Sequence, residues 1–108
     1  MINKNIVDYI AQKAEEKHKG AGAVVYLIVK VEQEGHLDFS HENFENARQR
    51  AELVSFGDKH MADIAEYTIL NHRVKVHGEK ENLSRMEELE SGLTDQEIEL
   101  ATRDFWNS

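Results

Sequence analysis

The sequence predicts a single-domain α+β fold dominated by helices: an N-terminal helix over residues 1–20, a β-hairpin over 22–40, and a helical region over 41–108 holding three to four helices. Three observations lead there. Apolar residues recur at threes and fours over 3–18 and again from Phe44 to the end of the chain. Between these stretches lies Ala23–Val31, dense in β-branched and aromatic side chains and bounded by Gly22 and Gly35. The chain has only 108 residues, enough for one modest core but not for a second domain.

In the first helix Ile6, Val7, Ile10, Ala11 and Ala14 form the apolar stripe, and Lys19-Gly20 ends it, because glycine readily takes the left-handed conformation of a helix terminus. The strand over 23–31 puts Val25, Leu27, Val29 and Val31 on one face and Val24, Tyr26 and Ile28 on the other. Glu34-Gly35 makes the turn, and His36–Ser40 returns as the second strand. Ser40 is read as the N-cap of the next helix, which carries Phe44, Ala47, Ala51 and Val54 and ends at Gly57. Asp58 caps a further helix through Met61, Ile64, Ile69 and Val74, which kinks or breaks at Gly78 or runs on through Leu83, Met86 and Leu89 to Gly92. Thr94-Asp95-Gln96-Glu97 is a capping box, so a last helix begins at Asp95 and carries Ile98, Ala101 and Phe105. Phe105 and Trp106 serve as a cap on the core or as an exposed anchor.

Composition excludes several classes of chemistry. With no cysteine there is no disulfide, thiolate metal site or cysteine nucleophile. The apolar run over 23–29 is too short to span a membrane, and residues 1–20 carry no unbroken hydrophobic segment of the secretory kind, so a cytoplasmic protein is expected. Net charge is −8, and residues 78–108 carry nine Asp/Glu against three Lys/Arg. Direct binding to DNA or RNA is disfavoured, since it depends on Lys and Arg neutralising phosphates, and a partner with a basic surface is favoured.

Six histidines raise the question of a metal. None forms a His-x-x-x-His pair, and His72 and His77 lie about 140° apart around a helix axis. Glu15-Glu16-Lys17-His18 supplies one Glu-x-x-His without a second copy. His60, Asp63 and Glu66 share one helical arc and form the best local trio. No Gly-x-Ser-x-Gly elbow surrounds any serine, Ser40 and His41 point to opposite faces of a strand, and Gly20-Ala21-Gly22 precedes its strand, unlike a phosphate-binding loop. Neither a catalytic residue nor a cofactor is assigned.

The reading that follows is a small, acidic, self-associating, non-enzymatic interaction protein that binds and inhibits or regulates a macromolecular partner. Glu87, Glu88, Glu90, Asp95, Glu97 and Glu99 form its partner surface, with Glu42, Glu45, Gln49 and Glu52 adding a second acidic stripe. In composition alone such a chain resembles the inhibitors that viruses and plasmids direct at host nucleic-acid enzymes. A small metal-dependent enzyme or sensor using histidines and carboxylates, and a structural assembly subunit, are the alternatives. Self-association is expected through Val24, Tyr26 and Ile28, because a two-faced apolar strand in a lone hairpin leaves an open edge that a second copy can pair with.

Overall fold

Residues 4–35 and 46–107 are described by the computed structural model, and they form six α-helices. In chain order these are α1 (Lys4–Lys17), α2 (Ala21–Gly35), α3 (Ala47–Ser55), α4 (Lys59–His77), α5 (Leu83–Glu90) and α6 (Asp95–Asn107), with a 3-10 turn at Lys80–Asn82 before α5. Among the described residues there is no strand. The fold is all-α, and the α+β expectation is corrected.

The correction centres on Ala23–Val31, which lies inside α2. Ala21, Val25 and Ile28 recur at helical spacing and are buried, while Ala23, Val24, Tyr26 and Leu27 are exposed. An apolar run of this length carries no period of its own, so β-branched content favoured the strand. In a helix those residues lose rotamer freedom worth about 0.5 kcal/mol each. Each buried Val or Ile side chain offsets this with about 1.5–3 kcal/mol. Glu34-Gly35, read as a hairpin turn, forms the end of α2. The second strand over 36–40 and the cap at Ser40 lie outside the described residues.

A carboxylate ties α1 to α2. Gly20, at φ 89°, turns the chain, and Glu15 accepts hydrogen bonds from the N–H groups of Gly20 (3.0 Å) and Gly22 (2.9 Å), donors that the start of a helix leaves unpaired. These two bonds, Gly20 first, hold the Glu15 carboxyl below its ordinary pKa. A Cβ at Gly22 would lie 3.2 Å from the Ala11 carbonyl oxygen, so the two helices pack closely there.

The other helix ends follow local chemistry. Asn46 caps α3 through the Arg48 N–H (2.7 Å), and Asp58 caps α4 through the Met61 N–H (3.0 Å). Between α3 and α4 both Phe56 and Gly57 have positive φ, at 50° and 90°. A phenylalanine there is strained, and its ring packs on the core and 5.1 Å from the ring of His18. Gly78 breaks the long helix: it has φ 71°, and its N–H donates to Val74 (3.2 Å) while that of Glu79 donates to Arg73 (3.2 Å). Of the two expectations, a break at Gly78 or a helix running on through Leu83 and Met86, the break is the one formed.

Helix α4, about 28 Å long, is the central element and packs against α3, α5 and α6. Helices α1 and α2 pack along each other, both touch α3, and α1 also touches α6. Ile6, Val25, Ala51 and Ile64 are among the most deeply buried apolar residues, so the core lies where α1, α2, α3 and α4 meet. The side chains of Phe105 and Trp106 lie outside the described residues.

Candidate functional site

Helices α5 and α6 present the acidic C-terminal third. Met86 and Leu89 anchor α5 to the core, and Leu93 and Ala101 anchor the following turn and α6. With those positions facing inward, Glu87, Glu88, Glu90, Asp95 and Glu99 are exposed, and Glu97 is half-buried. The six expected acids thus share two consecutive helices but differ in their surroundings.

Glu97 closes the capping box read from the sequence. Its backbone N–H donates to Thr94 Oγ1 (3.1 Å), and its Oε1 accepts the Thr94 N–H (2.8 Å). Its other oxygen meets His60 Nε2 on α4 at 2.7 Å. Burial alone would raise the Glu97 pKa, but the Thr94 N–H and His60 outweigh it and hold the carboxyl below the ordinary range. Glu90 accepts the Tyr67 hydroxyl (2.7 Å), and Glu88 accepts Arg85 Nη1 (2.9 Å).

Beneath this surface lies an ionic network that sequence reasoning missed. Glu66, on α4, keeps only 5% of its side chain exposed. Arg85 grips it with two bonds, Nε to Oε2 (2.8 Å) and Nη2 to Oε1 (3.0 Å), and Arg48 Nη1 adds a third at 3.2 Å. Such bidentate, charge-assisted pairs combine strength with fixed orientation. Arg48 also binds Asp63 Oδ1 (2.6 Å) and Glu52 Oε1 (3.0 Å). Burial raises the Asp63 pKa, yet Arg48 and Lys59 together hold it below its ordinary value. The available signal was a carboxylate at position 66 amid Ile64, Ala65, Tyr67 and Ile69, all of them buried.

The histidine and serine readings resolve locally. His60, Asp63 and Glu66 diverge, His60 toward α6 and the two acids toward Arg48. Among the described residues no three His, Asp or Glu side chains lie close enough to hold a metal ion. The Ser55 and Ser91 hydroxyls each donate to a carbonyl one turn back, at 3.0 and 2.7 Å. Ser40, His41, Glu42 and Glu45 lie outside the described residues. A cleft of about 470 Å³ opens between α1, α4 and α6, with Ile6, Ile64 and Leu100 in its walls and Thr94 and Glu97 at its edge.

Of the three residues expected to mediate self-association, Val24 and Tyr26 are exposed on α2, the Tyr26 hydroxyl donating to Asp8, whereas Ile28 belongs to the core. The open strand edge that motivated them is replaced by a helix whose backbone bonds are internal. Among the described residues no helix is long and apolar enough to cross a membrane. No family model matches the chain, and no curated protein or solved structure matches it either.

Proposed function

We propose that this chain is a non-enzymatic interaction protein whose α5–α6 surface binds, and thereby inhibits or regulates, a macromolecular partner with a basic face. One observation carries the reading. Arg85 is the only Lys or Arg between residues 81 and 102, against seven acids, and its guanidinium is held by Glu66 and Glu88. Within that stretch the cation is thus drawn down to α4, while Glu87, Asp95 and Glu99 stay exposed. A field of one sign steers and orients an oppositely charged partner.

The test is affinity capture from the source cells, comparing the wild type with Glu87→Lys/Glu88→Lys/Glu99→Lys. Glu97 is left intact because reversing it would also undo the α6 cap. The expected outcome is a protein with a basic surface, retained by the wild type and lost by the variant at equal helicity. Equal capture by both would refute the acidic-surface reading.

A further inference from the structure

We propose that the cleft between α1, α4 and α6 is a binding site for a small organic cation, an amine that carries a compact apolar body. The proposal goes beyond the partner-binding reading and does not rest on it. Glu99 and Asp95 lie about 100° and 140° around α6 from Leu100, on the side turned away from the cleft.

The cleft is built from pairs at helical spacing. Helix α1 supplies Ile6 and Tyr9 and α6 supplies Glu97 and Leu100, each pair three positions apart, so each helix sets an apolar side chain beside a polar one. Ile64 of α4 completes the floor. Ile6 and Ile64 are each only 1% exposed, so this floor is continuous with the core. The volume of about 470 Å³ falls within the range of about 300–1,000 Å³ usual for small-molecule sites.

Charge decides what the cleft takes. Among the described residues Glu97 is the one charged side chain lining it, and it is 20% exposed. Its carboxyl is ionised at neutral pH, since the bonds that outweigh its burial hold it below the ordinary range. One oxygen accepts the Thr94 N–H (2.8 Å) and the other meets His60 Nε2 (2.7 Å). A carboxylate offers about four lone-pair sites, which leaves each oxygen able to accept a donor from a ligand. Tyr9 adds an aromatic ring, and Lys13 Nζ, 3.8 Å from Glu16, rests 5.8 Å from its centre, as cations do on such rings. An anion in the cleft would meet a like charge, and a purely apolar molecule would cover the carboxylate without bonding it. An ammonium head at Glu97 with its apolar body on Ile6, Ile64 and Leu100 suits both halves of the cleft.

The test compares phenethylamine with phenethyl alcohol and hydrocinnamate, which keep the body and change the head, and with methylamine, which keeps the head alone. Amide NMR titrations of the whole chain at neutral pH are expected to move the signals of Ile6, Ile64, Glu97 and Leu100 with phenethylamine, at an affinity of about 1 mM. The alcohol and methylamine are each expected to bind about tenfold more weakly, and hydrocinnamate not to bind. Glu97→Gln keeps the α6 cap, because glutamine serves at that place in a capping box, and is expected to lower phenethylamine affinity about tenfold, to that of the alcohol, at unchanged helicity. Absence of shifts with phenethylamine, shifts away from the cleft, an alcohol or methylamine that binds as tightly, or a Glu97→Gln chain that binds like the wild type would each overturn the proposal.

Discussion

Glu66 is the residue on which the arginines of two other helices converge. Two arginines from α3 and α5 meet it on α4, so removing the carboxylate leaves both without their shared counter-ion. Breaking a fully buried pair costs about 3–5 kcal/mol. Arg85 is partly solvated, so Glu66→Ala is expected to cost less, about 2–3 kcal/mol, read as a lower denaturant midpoint by circular dichroism. Thr94→Ala is expected to cost about 0.5–2 kcal/mol, since it removes the acceptor of the Glu97 N–H. An unchanged midpoint would mean that the box is open in solution. The two residues differ in how legible they are. Thr94 and Glu97 are three positions apart and announce their bond, as Asp58 and Met61 do. Arg48, Glu66 and Arg85 are separated by 18 and 19 positions, and only the packing of α3 and α5 on α4 brings them together.

At the level of elements, the α1–α2 junction makes the sharpest demand on one residue. Gly22→Ala would ordinarily stabilise a helix by about 1 kcal/mol. Here the new methyl would meet the Ala11 carbonyl at 3.2 Å and Glu15 Oε2 at 3.3 Å, so net stability is expected to be unchanged or lower. A full gain in thermal unfolding would show that α1 and α2 do not approach this closely. The same pair marks the limit of sequence reading. Helix α1 and the starts of α4 and α6 are legible because polar residues frame their apolar stripes and Asp58 and Thr94 mark where they begin. Helix α2 lacks that frame: seven of the residues from Ala23 to Val29 are apolar, so neither a period of two nor one of 3.6 stands out. What decides it is α1, whose Glu15 supplies the start of α2 from outside its own stretch of sequence. The acidic face was legible as composition, but which acids are tied down was not, because His60, Tyr67 and Arg85 reach Glu97, Glu90 and Glu88 through the fold.

At the scale of the whole molecule, charge sets the pH dependence of stability and, under the proposed function, the salt dependence of partner binding. Asp58, Asp63 and Glu97 titrate below their ordinary values in the folded chain, so the unfolded chain binds protons more readily. For Asp58 the largest cause is the Met61 N–H, followed by Lys17. Their contribution is complete above the ordinary carboxylate pKa of about 4 and is lost as pH falls through the depressed folded values. Thermal midpoints are expected to be flat from about pH 7 to 5 and to fall below about pH 4, and Asp58→Asn should reduce that dependence. Salt is expected to weaken the attraction proposed between α5–α6 and a basic partner, because it screens the charges of both surfaces.

That response is the most direct measure of the central claim, that an acidic surface on α5–α6 recognises a basic partner. With the captured partner in hand, its association constant is measured by calorimetry from about 50 to 500 mM salt, for the wild type and for Glu87→Lys/Glu88→Lys/Glu99→Lys. The account predicts wild-type affinity that falls steeply with salt and a variant that binds weakly at every salt concentration. Wild-type affinity indifferent to salt, or a variant with the same affinity and slope, would contradict it.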